Sequence, residues 1–164
     1  MPPPRVDAAS SPPQIPAVTN PFVRPEEPTA EEAIEAIGDE LGVFDDWMDR
    51  YQYIIELGRK LPPFPEEWTD DAHRVPGCQS RVWMEAVLRG GRLYLAATSD
   101  AASVSGLIAL LLRVYSGRTP DEILATDPVF LKELGLLEAL STNRGNGIAA
   151  MARKIRELAA LQTA

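Results

Sequence analysis

The chain has 164 residues, of which 16 are basic and 24 acidic, giving a formal net charge of −8 with one histidine and one cysteine. That length suits one domain with a real core, and the acidity argues against nucleic acid or an anionic membrane as partner, since phosphate contacts need clustered Lys and Arg. A lone Cys and a lone His exclude a Cys/His zinc site, which takes about four ligands, and rule out an intramolecular disulfide. The chain is expected to carry no metal or cofactor of its own.

The charge is unevenly placed: residues 26–49 carry ten acids and no base, whereas residues 50–164 balance to +1. Nine of the 15 prolines fall in the first 28 residues, among Ser, Thr, Asn and Ala. Such a stretch has little apolar surface to offset its ordering entropy, so residues 1–28 are expected to be a disordered Pro-rich tail and residues 29–164 the folded domain. A basic start followed by an apolar run is missing, so no signal peptide is expected. The longest strongly apolar stretch, residues 106–112, is far below the ~18 needed to span a bilayer. These features predict a cytoplasmic protein.

Thr29-Ala30-Glu31-Glu32 forms a capping box, in which Thr29 accepts from an early backbone N–H and Glu32 reaches back, so a helix should begin there and be interrupted at Gly38 and Gly42. Phe44, Trp47, Tyr51, Ile54 and Ile55 make one apolar stripe at helical spacing, predicting a second helix that stops at the prolines of residues 61–65. A loop follows to Pro76. Residues 79–89 and 92–98 are β-prone runs around Gly90-Gly91, and a tight primed turn needs positive φ, so an antiparallel hairpin is predicted. From Asp100 the pattern is helical again, with Val104, Leu107, Ile108, Leu111 and Leu112 facing a core, Tyr115 near the end and Gly117 as terminator. Thr119-Pro120-Asp121-Glu122 is a second capping box with proline at the first helical position. Asp127-Pro128 repeats that logic before Phe130, Leu131 and Leu134, and Gly135 ends the element. A C-terminal helix carries Ile148, Met151, Ile155 and Leu158 on one face. Helices, a hairpin and helices again define an α+β fold, a small antiparallel sheet packed on several helices.

Cys78 lies in Arg74-Val75-Pro76-Gly77-Cys78-Gln79-Ser80-Arg81-Val82-Trp83. Pro76-Gly77 favours a turn, which puts Cys78 on a bend at the mouth of the first strand. A free thiol has a pKa near ~8.5 that neighbouring cations lower, and Arg74 and Arg81 flank this one. A lone cysteine is commonly a small buried hydrophobe, but Pro-Gly before it and Gln-Ser after it do not look like a core site. Trp83 reads as core packing. A thiol hydrolase using His73 as base is the alternative from these residues alone, although catalytic dyads are usually assembled from distant segments, and the loop context makes His73 an ordinary surface residue.

Four segments occur in a recognisable order: Tyr53-Ile54-Ile55-Glu56-Leu57-Gly58-Arg59-Lys60-Leu61-Pro62; residues 75–83 with Gly-Cys-Gln-Ser and then Val-Trp; Ser99-Asp100-Ala101-Ala102 followed by Gly106-Leu107-Ile108-Ala109; and Asn143-Arg144-Gly145-Asn146-Gly147. Together they resemble the SufE family of sulfur-acceptor proteins over residues 47–158. The resemblance implies a fold like that of the iron–sulfur scaffold IscU. It also implies acceptance of sulfur from a pyridoxal-phosphate cysteine desulfurase of the SufS or CsdA type, and delivery to a downstream iron–sulfur scaffold. Cys78 would carry a persulfide by thiol-exchange logic, on a loop sheltered at rest that swings out at the partner. Gly77, Gln79 and Ser80 would shape the loop. Asp100 is implied near the cysteine loop, its plain alternative being the N-cap of the central helix. Arg144 is implied to dock the desulfurase or steady the sulfur site, its plain alternative being a solvated surface arginine. The sequence departs from the family pattern at His73, Arg81 and Gly145, where Asn, Gln and Ser are common. A regulatory desulfurase-binding module that makes no use of the thiol is the second class of function.

Overall fold

Capping chemistry sets where the helices begin. In the computed structural model, which describes residues 20–78, 80–136 and 142–163 and of the last segment only the backbone as far as residue 146, Thr29 accepts from the Glu32 N–H at 3.1 Å and opens α1 (Ala30–Gly42). The partner that completes the cap is not Glu32: Glu122, 92 residues away, accepts from the Ala30 N–H at 2.7 Å. Helix α1 runs unbroken through Gly38, which faces Leu134 closely, and ends at Gly42. Asp46 caps α2 (Trp47–Arg59) through the Asp49 N–H at 2.9 Å.

Two short 3-10 turns, Glu66–Trp68 and Asp71–His73, occupy the connection to the hairpin. Strands β1 (Val82–Arg89) and β2 (Arg92–Ser99) pair antiparallel, and Gly90 and Gly91 turn between them at φ +57° and +78°. The first strand starts three residues later than its β-prone pattern, because the cysteine bend occupies the chain up to residue 81. Cross-strand partners Val82/Ser99, Met84/Ala97, Ala86/Leu95 and Leu88/Leu93 share the inner face, and Trp83/Thr98, Glu85/Ala96, Val87/Tyr94 and Arg89/Arg92 the outer one.

The inner face rests on α3 (Ala102–Tyr115), which also packs on α1, α2 and the C-terminal helix. Ten of its 14 residues are buried, so it is the hub of the core. Its start differs from expectation: the N-cap is Ala101, with no side-chain cap. Asp100 instead turns to Arg81, its Oδ2 3.2 Å from Nε, while Ser99 Oγ accepts from the Ala101 N–H at 3.2 Å. Thr119 caps α4 (Pro120–Ala125) at 3.1 Å, α5 (Phe130–Glu133) follows Asp127-Pro128, and Gly135 closes it at φ +76°. The last helix, α6 (Thr142–Thr163), buries Ile148, Met151 and Ile155. No helix among the described residues is long and apolar enough to cross a membrane.

Residues 20–28, on the tail side of the boundary expected from composition, are tied to this body; residues 1–19 lie outside the described residues. The Val23 N–H donates to the Leu95 carbonyl at 2.9 Å, and Ser116 Oγ donates to the Val23 carbonyl at 2.6 Å. Glu27 pairs with Arg113 at 2.6 Å, and the same guanidinium holds Glu40 at 2.8 Å. Arg118, fully buried, donates to the carbonyls of Val114, Glu27 and Arg113. A buried guanidinium with one donor unmet would cost about 1–3 kcal/mol, so the carbonyl of Glu27 fixes the strap by satisfying it.

Candidate functional site

Val75 and Val82 pinch the base of the loop that carries Cys78. The Val75 N–H donates to the Val82 carbonyl at 2.9 Å, and Arg74 bridges to Trp83 across the same neck, its guanidinium 5.9 Å from the indole centroid. At the far end the Arg81 carbonyl accepts from Ser99 Oγ at 2.7 Å. Both ends are therefore anchored, and of the described residues between them Pro76, Gly77, Cys78 and Ser80 lie outside the ladder. Gly77 takes φ +88°, a conformation that favours glycine, and so aims Cys78 inward.

The crest leans on α6. Cys78 is half-buried, and its Sγ–H donates to the Gly147 carbonyl at 3.5 Å, across 69 residues of sequence. A Cβ on Gly77 would lie 3.3 Å from Ala150 Cβ, one helical turn further on. Burial pushes the Cys78 thiol pKa up, and the charges of Arg74 and Arg153 offset this only in part. The resting site is thus a protonated thiol in a recess with two cations nearby.

Ser80 is partly buried, and Asp100 reaches the loop through Arg81. Gln79 and the side chain of Arg144 lie outside the described residues. His73 is committed elsewhere: Nδ1 is 2.6 Å from Asp70 and Nε2 is 2.9 Å from Glu85, with the ring stacked on Trp68. Those two carboxylates, Asp70 first, raise its pKa. With both ring nitrogens engaged, His73 clasps the neck of the loop to β1 and is not presented to Cys78 as a base.

Gly147, Ala150, Arg153 and Ser99 are the contributors that residue-by-residue reading missed. Gly147 and Ser99 belong to the family-like segments, but nothing local says that a carbonyl on the last helix meets the thiol. A Cβ there would sit 3.9 Å from Cys78 Cα, Cβ and Sγ, so alanine fits and a longer side chain takes the thiol's space. Gly147→Leu is expected to displace the loop and speed Cys78 alkylation by iodoacetamide at neutral pH roughly tenfold, equivalent to about one pKa unit. Gly147→Ala is expected to leave the rate unchanged. A pH–rate profile reads both, with the wild-type midpoint above the free-thiol value of ~8.5.

A small α+β protein built around one sheltered thiol on a pinched loop is the class that this fold and site define. The SufE family model, described as an Fe-S metabolism associated domain, matches residues 35–159. An uncharacterized SufE-like protein of Rhizobium etli is 39% identical over 137 residues, covering 80% of this chain and 93% of the relative. Another from Rhizobium meliloti is 37% identical over 129 residues, covering 76% and 92%. The solution structure of a hypothetical protein of Thermus thermophilus shares the fold at a TM-score of 0.64 and 24% identity, over 81% of this chain and 94% of that one. The chain belongs to the SufE family, which associates it with iron–sulfur metabolism.

Proposed function

We propose that the protein is a sulfur acceptor and activator of a cysteine desulfurase, carrying persulfide sulfur on Cys78 in the cytoplasm and relaying it to iron–sulfur cluster assembly. The observation that supports this best is the half-buried Cys78 thiol on a loop anchored at both ends, its Sγ–H donating to the Gly147 carbonyl of α6. The partner is a SufS-type or CsdA-type desulfurase that holds a persulfide on its own cysteine and carries its own pyridoxal phosphate. The Cys78 thiolate attacks the terminal sulfur; a new S–S bond forms on Cys78 as the donor S–S bond breaks, and the donor sulfur leaves as thiolate. No outside oxidant is needed, because the sulfane sulfur moves with its oxidation level unchanged.

With one cysteine in the chain, no resolving thiol can discharge the persulfide internally. Shelter at rest keeps the thiol from oxidation, and Arg74, fixed at the neck of the loop, biases it toward thiolate once exposed. Arg81, paired with Asp100, steadies the exit side of the loop, and Gly77 supplies its bend; Gln79 and Ser80, next in the sequence, are assigned by this reading to shaping it. Arg144, in the first turn of α6, is placed in the desulfurase contact by this reading.

Incubation of the protein with a cysteine desulfurase and cysteine is expected to add one sulfur atom to the intact mass, removable by reductant, and to raise desulfurase turnover. Unchanged mass and unchanged turnover would overturn the reading.

A further inference from the structure

Away from the thiol, a cavity of about 400 Å³ opens between the strap and the outer face of the hairpin, lined by Asn20, Phe22, Arg24, Val87, Arg89 and Tyr94, with Pro25 at its edge. Strap and sheet build it in register. Val23 is bonded to Leu95 and packs toward the core, so Phe22 and Arg24 on either side fall on the outer side, with Tyr94 and its cross-strand partner Val87. The volume is in the usual range for a small-molecule site.

The charge in it is unpaired. Among the described residues, Arg24 and Arg89 have no ion-pair or hydrogen-bond partner. Arg89 stands directly opposite Arg92 across the hairpin, a like-charge pair that costs stability rather than adding it. Arg92 donates only to a carbonyl, that of Gly117 at 3.0 Å, and with Tyr94 and Pro25 it lines the adjoining recess that reaches the buried Arg118. The acids lining that recess are Glu26 and Glu27, which lie 3.9 and 2.6 Å from Arg113. Two arginines therefore line this cavity, and a third, Arg92, lines the recess that shares Pro25 and Tyr94 with it.

We propose that this cavity seats a small organic phosphate, its phosphate groups held by Arg24, Arg89 and Arg92 and its ring or apolar part laid on Tyr94 and Phe22. Guanidinium forks match phosphate oxygens two at a time, and the phosphate relieves the Arg89/Arg92 repulsion that the free protein bears. The seat is distinct from the sulfur site: β1 runs eight residues from the cysteine loop to Arg89, roughly 24 Å at ~3.4 Å per residue. Because one wall is the strap, the ligand joins residues 20–25 to the hairpin and stabilises their union.

The full chain titrated with pyrophosphate and with ADP, by calorimetry and by thermal unfolding, tests this. Both probes are expected to bind and raise the melting temperature, ADP the more tightly because it also covers Tyr94. Arg24→Gln with Arg89→Gln is expected to weaken both at least about tenfold, and Arg89→Gln alone to raise the melting temperature of the ligand-free protein. Absence of binding at millimolar probe, or binding that the double substitution leaves unchanged, would overturn the site. Equal affinity for the two probes would overturn the place given to the ring. Sulfur loading of Cys78 is measured in parallel and is expected to survive the double substitution, so failure of either proposal is read separately.

Discussion

Gly106→Ala is expected to destabilise the protein by about 3 kcal/mol, the upper part of the range for overpacking a tight interface. The cause is backbone against backbone. A Cβ on Gly106 of α3 would fall on the carbonyl of Ile54 in α2, and one on Gly58 would lie 2.6 Å from the Gly106 nitrogen. The two helices touch through a pair of glycines, and neither backbone can yield as a flexible side chain could. Since α3 is the hub on which the hairpin rests, parting α2 from α3 disturbs the platform beneath the cysteine loop. In urea the midpoint should fall by about 1.5 M, taking a slope near 2 kcal/mol/M. Gly42→Ala is the control: nothing lies within 4 Å of its Cβ at the end of α1, and it should be neutral or slightly stabilising. Equal effects from the two substitutions would show that the close approach is not what holds α2 to α3.

How far such features can be read from sequence depends on how local they are. The hairpin was legible because Gly90-Gly91 is a local conformational requirement, met at φ +57° and +78°. The caps at Thr29 and Thr119 were legible for the same reason. The reach-back acid on Ala30 was not, since Glu122 comes from a different helix and competes successfully with Glu32. Asp100 before Ala-Ala has every local feature of an N-cap, yet the guanidinium of Arg81 across the hairpin mouth takes its carboxylate and the cap falls to Ala101. Composition gave residues 20–28 too little apolar surface to order themselves; what orders them is distant, Val23 packed against the core and the Glu27 contacts to Arg113 and Arg118 across 86 and 91 residues. At the site, Pro76-Gly77 announced a bend and the Gly-Cys-Gln-Ser run carried the family resemblance. The recess that shelters the thiol belongs to α6, 69 residues on, and no local pattern encodes which carbonyl it offers.

Cys78→Ser is expected to abolish sulfur loading completely and to leave the fold in place. Serine is close in size and its hydroxyl can take over the donation to the Gly147 carbonyl, so a half-buried hydroxyl with a partner should cost no more than about 1 kcal/mol. What is lost is the nucleophile: the hydroxyl stays protonated at any pH where the protein is folded, and the S–S bond cannot form. Intact mass after exposure to a desulfurase and cysteine should therefore show no added sulfur, with an unfolding midpoint near that of wild type. Desulfurase turnover separates two readings of the same surface. An acceptor stimulates by clearing sulfur from the enzyme, so Cys78→Ser should bind without stimulating; a regulatory module would stimulate as well as wild type and would overturn the acceptor proposal. His73→Ala is the companion control, because the imidazole is engaged by Asp70 and Glu85 and contributes no base to the thiol. It should load sulfur normally, whereas a thiol hydrolase relying on that base would lose its activity with either substitution.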